Sequence, residues 1–229
     1  MSEFMTFLKG VARNPVQVGA ISPTGPFLAD RVVRAADIRD DHVVVELGAG
    51  TGSLTKRIVQ AAPEAPFLAL EPDPDMAGVL RSEVPSALVV EKLAQDLPQL
   101  AVDWGHPKVD RVVSGLPWAL WPGWVQEPIV EAVWSAMAPE ARLVAFTYVH
   151  SQILPASSRL RKILQRYFLT VRRTTIQWVN VPPAFVYVCD RPRPYPLSRS
   201  VRPRPVRVLR LDRELGLQLG DGAGESMHV

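Results

Sequence analysis

The chain has 229 residues, of which 47% are hydrophobic and 21% charged, enough for one well-buried α/β domain and unlike a disordered chain. No apolar run reaches membrane-spanning length, the N-terminus lacks the order of a signal peptide, and the single Cys189 offers neither a disulfide nor a metal cluster. A cytoplasmic, metal-free protein is therefore expected. The net charge of +3 resides in residues 190–229, which hold eight of the 26 basic and five of the 23 acidic residues and leave a neutral body with 18 of each. Such a body has no broad basic surface for a long nucleic acid.

Residues 2–13 open the chain with helical spacing: Phe4, Phe7, Leu8 and Val11 share one face, with Lys9 and Arg13 off it. Asn14-Pro15 ends that helix, and turn residues make 18–26 a loop. Strands and helices then alternate. Helices are predicted over 27–36, 51–62, 74–84, 124–137 and 157–168. Strands are predicted over 43–47, 67–70, 87–90, around 111–113, and over 143–148, with a closing pair over 171–179 and 185–188. This order predicts a mostly parallel sheet with helices on both faces. After Asp190 the runs Arg-Pro-Arg-Pro-Tyr-Pro and Arg-Pro-Arg-Pro read as extended, hydrogen-bond-poor chain. The expected division is 1–26 (helix and covering loop), 27–190 (the domain) and 191–229 (the tail).

The strongest motif is Glu46-Leu47-Gly48-Ala49-Gly50-Thr51-Gly52, between the first strand and its helix. Glycines there let the chain turn sharply and let a ligand approach the backbone, while the helix start offers free N–H groups. A dinucleotide fingerprint requires glycine at position 53, which is Ser53. Glu46 suits the ammonium of a cofactor's amino-acid end, and Glu71, closing the second strand, stands where a carboxylate accepts both ribose hydroxyls. Asp96 either meets the adenine amino group or caps a helix.

These residues together resemble the class I S-adenosylmethionine-dependent methyltransferases over about residues 40–190. The resemblance implies a Rossmann-like, seven-stranded sheet and S-adenosylmethionine as cofactor. A narrower likeness rests on Phe7-Leu8-Lys9-Gly10, Arg13-Asn14-Pro15, the 18–23 loop, Ser114-Gly115-Leu116-Pro117 and Asn180-Val181-Pro182-Pro183-Ala184. It is to bacterial phospholipid N-methyltransferases, which methylate phosphatidylethanolamine, and to related ornithine-lipid enzymes. Both groups are similar to rRNA adenine dimethyltransferases. The family likeness places Ser22 of the covering loop, and Ser114, Gly115 and Leu116 after the fourth strand, at the cofactor.

Adenine methyltransferases carry Asn, Asp or Ser two residues before a Pro-aromatic pair, to hold the exocyclic amine. Aligning Pro117-Trp118 on that pattern puts Gly115 at the polar position, so the base-reading side chain is missing. A lipid amine is the expected substrate and nucleic acid is not, with rRNA adenine as the alternative. Tyr148 and His150 at the end of the fifth strand are candidates to contact the amine, and Trp118 or Tyr148 to face a methylated cation. Asn180 is expected to line the site. The 2–13 stripe and its basic residues suit an anionic membrane surface, which implies a peripheral position on the inner face. The same stripe equally suits a lid packed on the domain.

Overall fold

The computed structural model describes residues 25–199 and 206–209. The 2–13 stripe, Ser22 and most of the tail lie outside the described residues.

The elements in chain order are α1 (Pro26–Ala36), β1 (Val44–Leu47), α2 (Thr55–Ala61), β2 (Phe67–Leu70), α3 (Pro74–Glu83), β3 (Leu88–Val90) and α4 (Leu97–Asp103). There follow β4 (Val109–Ser114), α5 (Gly123–Ala136), β5 (Met137–Tyr148), α6 (Pro155–Tyr167), β6 (Phe168–Thr174), β7 (Ala184–Pro192) and β8 (Arg207–Leu209). The strands form one sheet in the order β3-β2-β1-β4-β5-β7-β6-β8. The first five are mutually parallel, and β7 runs antiparallel to both β5 and β6.

Every residue of β1 and β2 is buried, because helices cover both faces of the sheet. Side chains alternate across it. Val44, Ala69, Val113 and Val144 meet α1, α2 and α3 on one face, while Val45, Leu68, Val112 and Leu143 meet α4, α5 and α6 on the other. Two apolar layers thus clamp the sheet, and its loops at the carboxyl ends of the parallel strands stay free to build a site.

Four expectations are corrected. The strand expected over 171–179 ends at Thr174, and residues 175–183 form a loop. The sheet has eight strands instead of seven, since β8, from the Arg/Pro-rich tail, pairs in parallel with β6. The first residues of the tail are fastened to the domain: the Arg193 and Leu197 N–H groups donate to Tyr167 O and Arg166 O, and Glu127 accepts from both Arg166 and Arg199. Helix α2 begins at Thr55, four residues later than its periodicity implies, because Gly50 and Gly52 take φ of 56° and 90° and hold the turn open. The spacing also left α4 unassigned.

Candidate functional site

The glycine loop leaves β1 at its carboxyl end. Gly48 has φ of 70°, and a Cβ there would meet Leu116 Cδ2 at 2.8 Å. Gly50 faces open space, with nothing within 4 Å of where a Cβ would stand. Across this hollow stands Glu71, at the end of β2. Its Oε2 accepts from Gly50 N–H at 2.7 Å and its Oε1 from Asp73 N–H at 3.0 Å. Each oxygen keeps a lone pair, so the carboxylate is fixed in place and still able to accept a ligand's hydroxyls. Burial pushes its pKa above the ordinary carboxylate value. An open cradle beside an oriented acceptor fits a nucleoside with its ribose on Glu71.

The other predicted acids take different positions. Glu46 is 1% exposed and accepts from Thr55 Oγ1 at 2.6 Å; burial pushes its pKa up to about 8. It is an internal group that ties β1 to α2 through Thr55. Asp96 is exposed and accepts from Leu93 N–H through Oδ2. It caps a single turn of helix before α4.

Beside the cradle lies a cleft lined by residues 115–120 after β4 and by Phe146, Thr147, Tyr148, His150 and Ser151 at the end of β5. The structure thus brings together Gly115, Leu116, Trp118, Tyr148 and His150. The cleft joins the glycine loop directly, because Gly115 packs against the Gly48 carbonyl. Phe146, Tyr148 and His150 form a rail: Phe146 and Tyr148 meet edge-on at 5.9 Å, and Tyr148 stacks on His150 at 5.7 Å with an interplanar angle of 14°. Alternation along a strand puts Phe146 and Tyr148 on one face. Burial raises the Tyr148 phenol above its usual pKa, so it stays neutral.

Trp118 belongs to the wall and not to the opening. It is 2% exposed, its Nε1–H donates to the buried Ser114 Oγ at 2.9 Å, and its ring meets Trp121 edge-on at 6.0 Å. The expectation that it faces a methylated cation is corrected by this burial. Ser114, 0% exposed, is likewise committed to Trp118 and holds the loop from within.

Asn180 does not line the cleft. Its Nδ2 donates to Pro182 O at 2.6 Å, and its Oδ1 would stand 3.0 Å from a Cβ on Gly25. It locks the β6–β7 loop against the start of α1, where the Arg31 guanidinium also donates to Thr175 Oγ1. The same loop reaches the β5 end, since Val149 N–H donates to Pro183 O at 2.8 Å.

Sequence reasoning missed Gln126. Buried on α5, its Nε2 donates to Trp118 O at 2.6 Å and Ala156 O at 3.1 Å, so it bridges the segments behind the two walls of the cleft. The signal was available: a glutamine in register with Ile129, Val130 and Val133 on an apolar helix stripe. Among the described residues no group of three or more metal-ligating side chains occurs.

A family model described as ribosomal RNA adenine dimethylase matches residues 24–104. The chain is 32% identical over 193 residues to the ornithine lipid N-methyltransferase of Singulisphaera acidiphila, covering 82% of this chain and 96% of that one. It is 38% identical over 91 residues to the probable ribosomal RNA small subunit methyltransferase A of Methanosarcina mazei, covering 40% of this chain and 31% of that one. Two solved structures share the fold. TrmN from Thermus thermophilus superposes with a TM-score of 0.60 at 19% identity, over 78% of this chain and 52% of that one. The magnesium protoporphyrin IX methyltransferase of Synechocystis, solved with bound S-adenosylmethionine, gives 0.55 at 14%, over 83% and 85%.

Proposed function

We propose that this chain, which belongs to the class I S-adenosylmethionine-dependent methyltransferase family that includes the ornithine lipid N-methyltransferase, transfers methyl groups to the amine of a membrane-lipid headgroup. Phosphatidylethanolamine with its methylated intermediates, and ornithine lipid, are the substrates that fit this reading. Its cofactor is S-adenosylmethionine, which when bound supplies a sulfonium-activated methyl carbon.

The observation that carries the lipid reading is Gly115. A side chain there would start 2.6 Å from the Gly48 carbonyl oxygen, so the polar group that holds an adenine amine has no room. The extent of the likeness supports it too. The lipid enzyme is matched over nearly its whole length, whereas the chain spans about a third of the rRNA enzymes of Methanosarcina. Residues 24–104 contain the glycine loop and Glu71, the cofactor-holding half, which both families need.

The chemistry asked of the residues is alignment. The glycine loop and Glu71 would hold the nucleoside beside the cleft in which the amine is aligned. The amine must present a lone pair, and the cleft supplies an aromatic rail instead of a carboxylate that would keep it protonated. Tyr148, a neutral phenol, acts through its ring face on the cation formed by methylation, an attraction worth about 0.5–2 kcal/mol. His150, next in the rail, takes the proton released as the amine reacts.

A labelled-methyl assay offering phosphatidylethanolamine, ornithine lipid and ribosomal RNA in parallel tests the reading. Label is expected in a lipid, and Glu71→Ala is expected to abolish it. Label in RNA alone would overturn the lipid assignment and favour the adenine reading.

A further inference from the structure

The β6–β7 loop, residues 175–183, and the turn after β5, residues 149–154, lie at the same carboxyl edge as the cleft and are joined by Val149 N–H to Pro183 O. Both point large apolar side chains outward. Ile153 is 88% exposed, Trp178 70% and Val181 86%, with Val179 and Leu154 also exposed beside them. Neither segment contains Asp, Glu, Lys or Arg. A cluster of this kind, next to a site mouth, marks a surface that meets an apolar partner.

The charge around it identifies the partner. From residue 141 to 189 the chain has no acidic residue and seven Lys or Arg. Arg142, Arg166 and Arg172 are paired internally with Asp190 or Glu127. Helix α6, which begins directly after the apolar turn, keeps Arg159, Arg161 and Lys162 exposed, with no ion pair among the described residues. The Arg159 stem packs against Gly123, beside the exposed Trp124. Apolar tips bordered by exposed cations and an amphipathic tryptophan match the boundary between acyl chains and anionic headgroups. Aliphatic tips such as Ile153 and Val181 offer nothing to the phosphates of a nucleic acid.

We propose that the 151–154 turn and the 178–181 loop insert into the interface of an anionic phospholipid bilayer, with the basic face of α6 against its headgroups. The cleft mouth is thereby held at headgroup level. This docking surface rests on the lipid-amine reading for its purpose but not for its test.

The test is co-sedimentation of the full-length protein with vesicles of phosphatidylcholine and phosphatidylglycerol, without cofactor. Trp178→Glu/Val181→Glu is expected to lower partitioning by roughly tenfold or more. Arg159→Glu/Lys162→Glu is expected to lower binding to these vesicles and not to pure phosphatidylcholine. Unchanged calorimetric affinity for S-adenosylhomocysteine shows that the variants are folded. With lysophosphatidylethanolamine dissolved below its micelle concentration, Trp178→Glu/Val181→Glu is expected to retain wild-type turnover. Partitioning equal to wild type overturns the proposal. So does a wild-type dimer that the loop variant converts to monomer with vesicle binding unchanged, or a loss of thermal stability alone, which would mean that the loops pack on another copy or on the chain's own first 24 residues. Loop-dependent vesicle binding without methylation of any lipid amine would overturn the substrate reading and leave the docking surface standing.

Discussion

Gly115 and Gly48 touch backbone to backbone: a Cβ on Gly115 would come within 2.6 Å of the Gly48 carbonyl oxygen. The first residue after β4 is thereby pressed against the cofactor loop after β1, and the two strands are neighbours in the sheet. Restoring the polar residue of an adenine methyltransferase here must move one loop off the other. Gly115→Asn is expected to cost about 1–3 kcal/mol of stability through overpacking, to weaken S-adenosylhomocysteine binding, and to gain no activity on RNA. Thermal melting, calorimetry and the labelled-methyl assay read the three effects. RNA methylation by this variant would show that residue 115 alone decides the substrate.

Glu46 holds its proton in the folded protein up to about pH 8, against an ordinary value of 4.5. Within that window the folded state keeps a proton that the unfolded chain has released, so stability falls as pH rises. The slope from this one group is on the order of 1 kcal/mol per pH unit. Glu46→Gln keeps the shape and removes the titration. Its melting temperature is expected to gain on wild type from pH 6 to 8. Parallel curves for the two proteins would mean that Glu46 is ionised in the fold.

Tyr148 is assigned a role for its ring and not its hydroxyl, since burial keeps the phenol neutral. Tyr148→Phe is expected to keep turnover within about threefold, while Tyr148→Ala loses about tenfold or more, from the cation–π range of 0.5–2 kcal/mol plus lost packing on Phe146 and His150. A Phe variant as impaired as the Ala variant would assign the hydroxyl to the reaction instead.

Gln126 bonds Trp118 O and Ala156 O with one amide nitrogen. Gln126→Leu leaves two carbonyls without that donor, at about 1–3 kcal/mol, and frees the segments behind the cleft to separate. Turnover is expected to drop with cofactor affinity unchanged. An equal loss of both would point to general unfolding instead of a widened cleft.

What was legible in the chain follows from how local the signal is. The glycine loop and Glu71 could be placed because strand, turn and helix follow one another within a few residues and the next strand ends at a fixed spacing. Gly115 was readable as an empty polar position, and the structure adds why it is empty. Trp118 was misread because an aromatic next to proline in a loop gives no indication of which way its ring turns; only the buried Ser114 hydroxyl, four residues earlier, settles that. Glu46 was readable as an acid before the glycines, but not its bond to Thr55, which only the packing of α2 on β1 brings about. Strand β8 was hidden because an Arg/Pro-rich stretch has poor strand propensity, and what orders it is the open edge of β6, far away in sequence.

That last pairing bears on where the protein can be trimmed. A fragment ending at Asp190, the point where the composition changes, would cut β7 short, strip the chain from Tyr167 and Arg166, and leave β6 with a bare row of backbone donors and acceptors. Uncovered margins of this kind recruit strands from other molecules. Residues 191–199 and β8 thus serve as a hem, and a fragment that stops short of Leu209 bares the β6 margin.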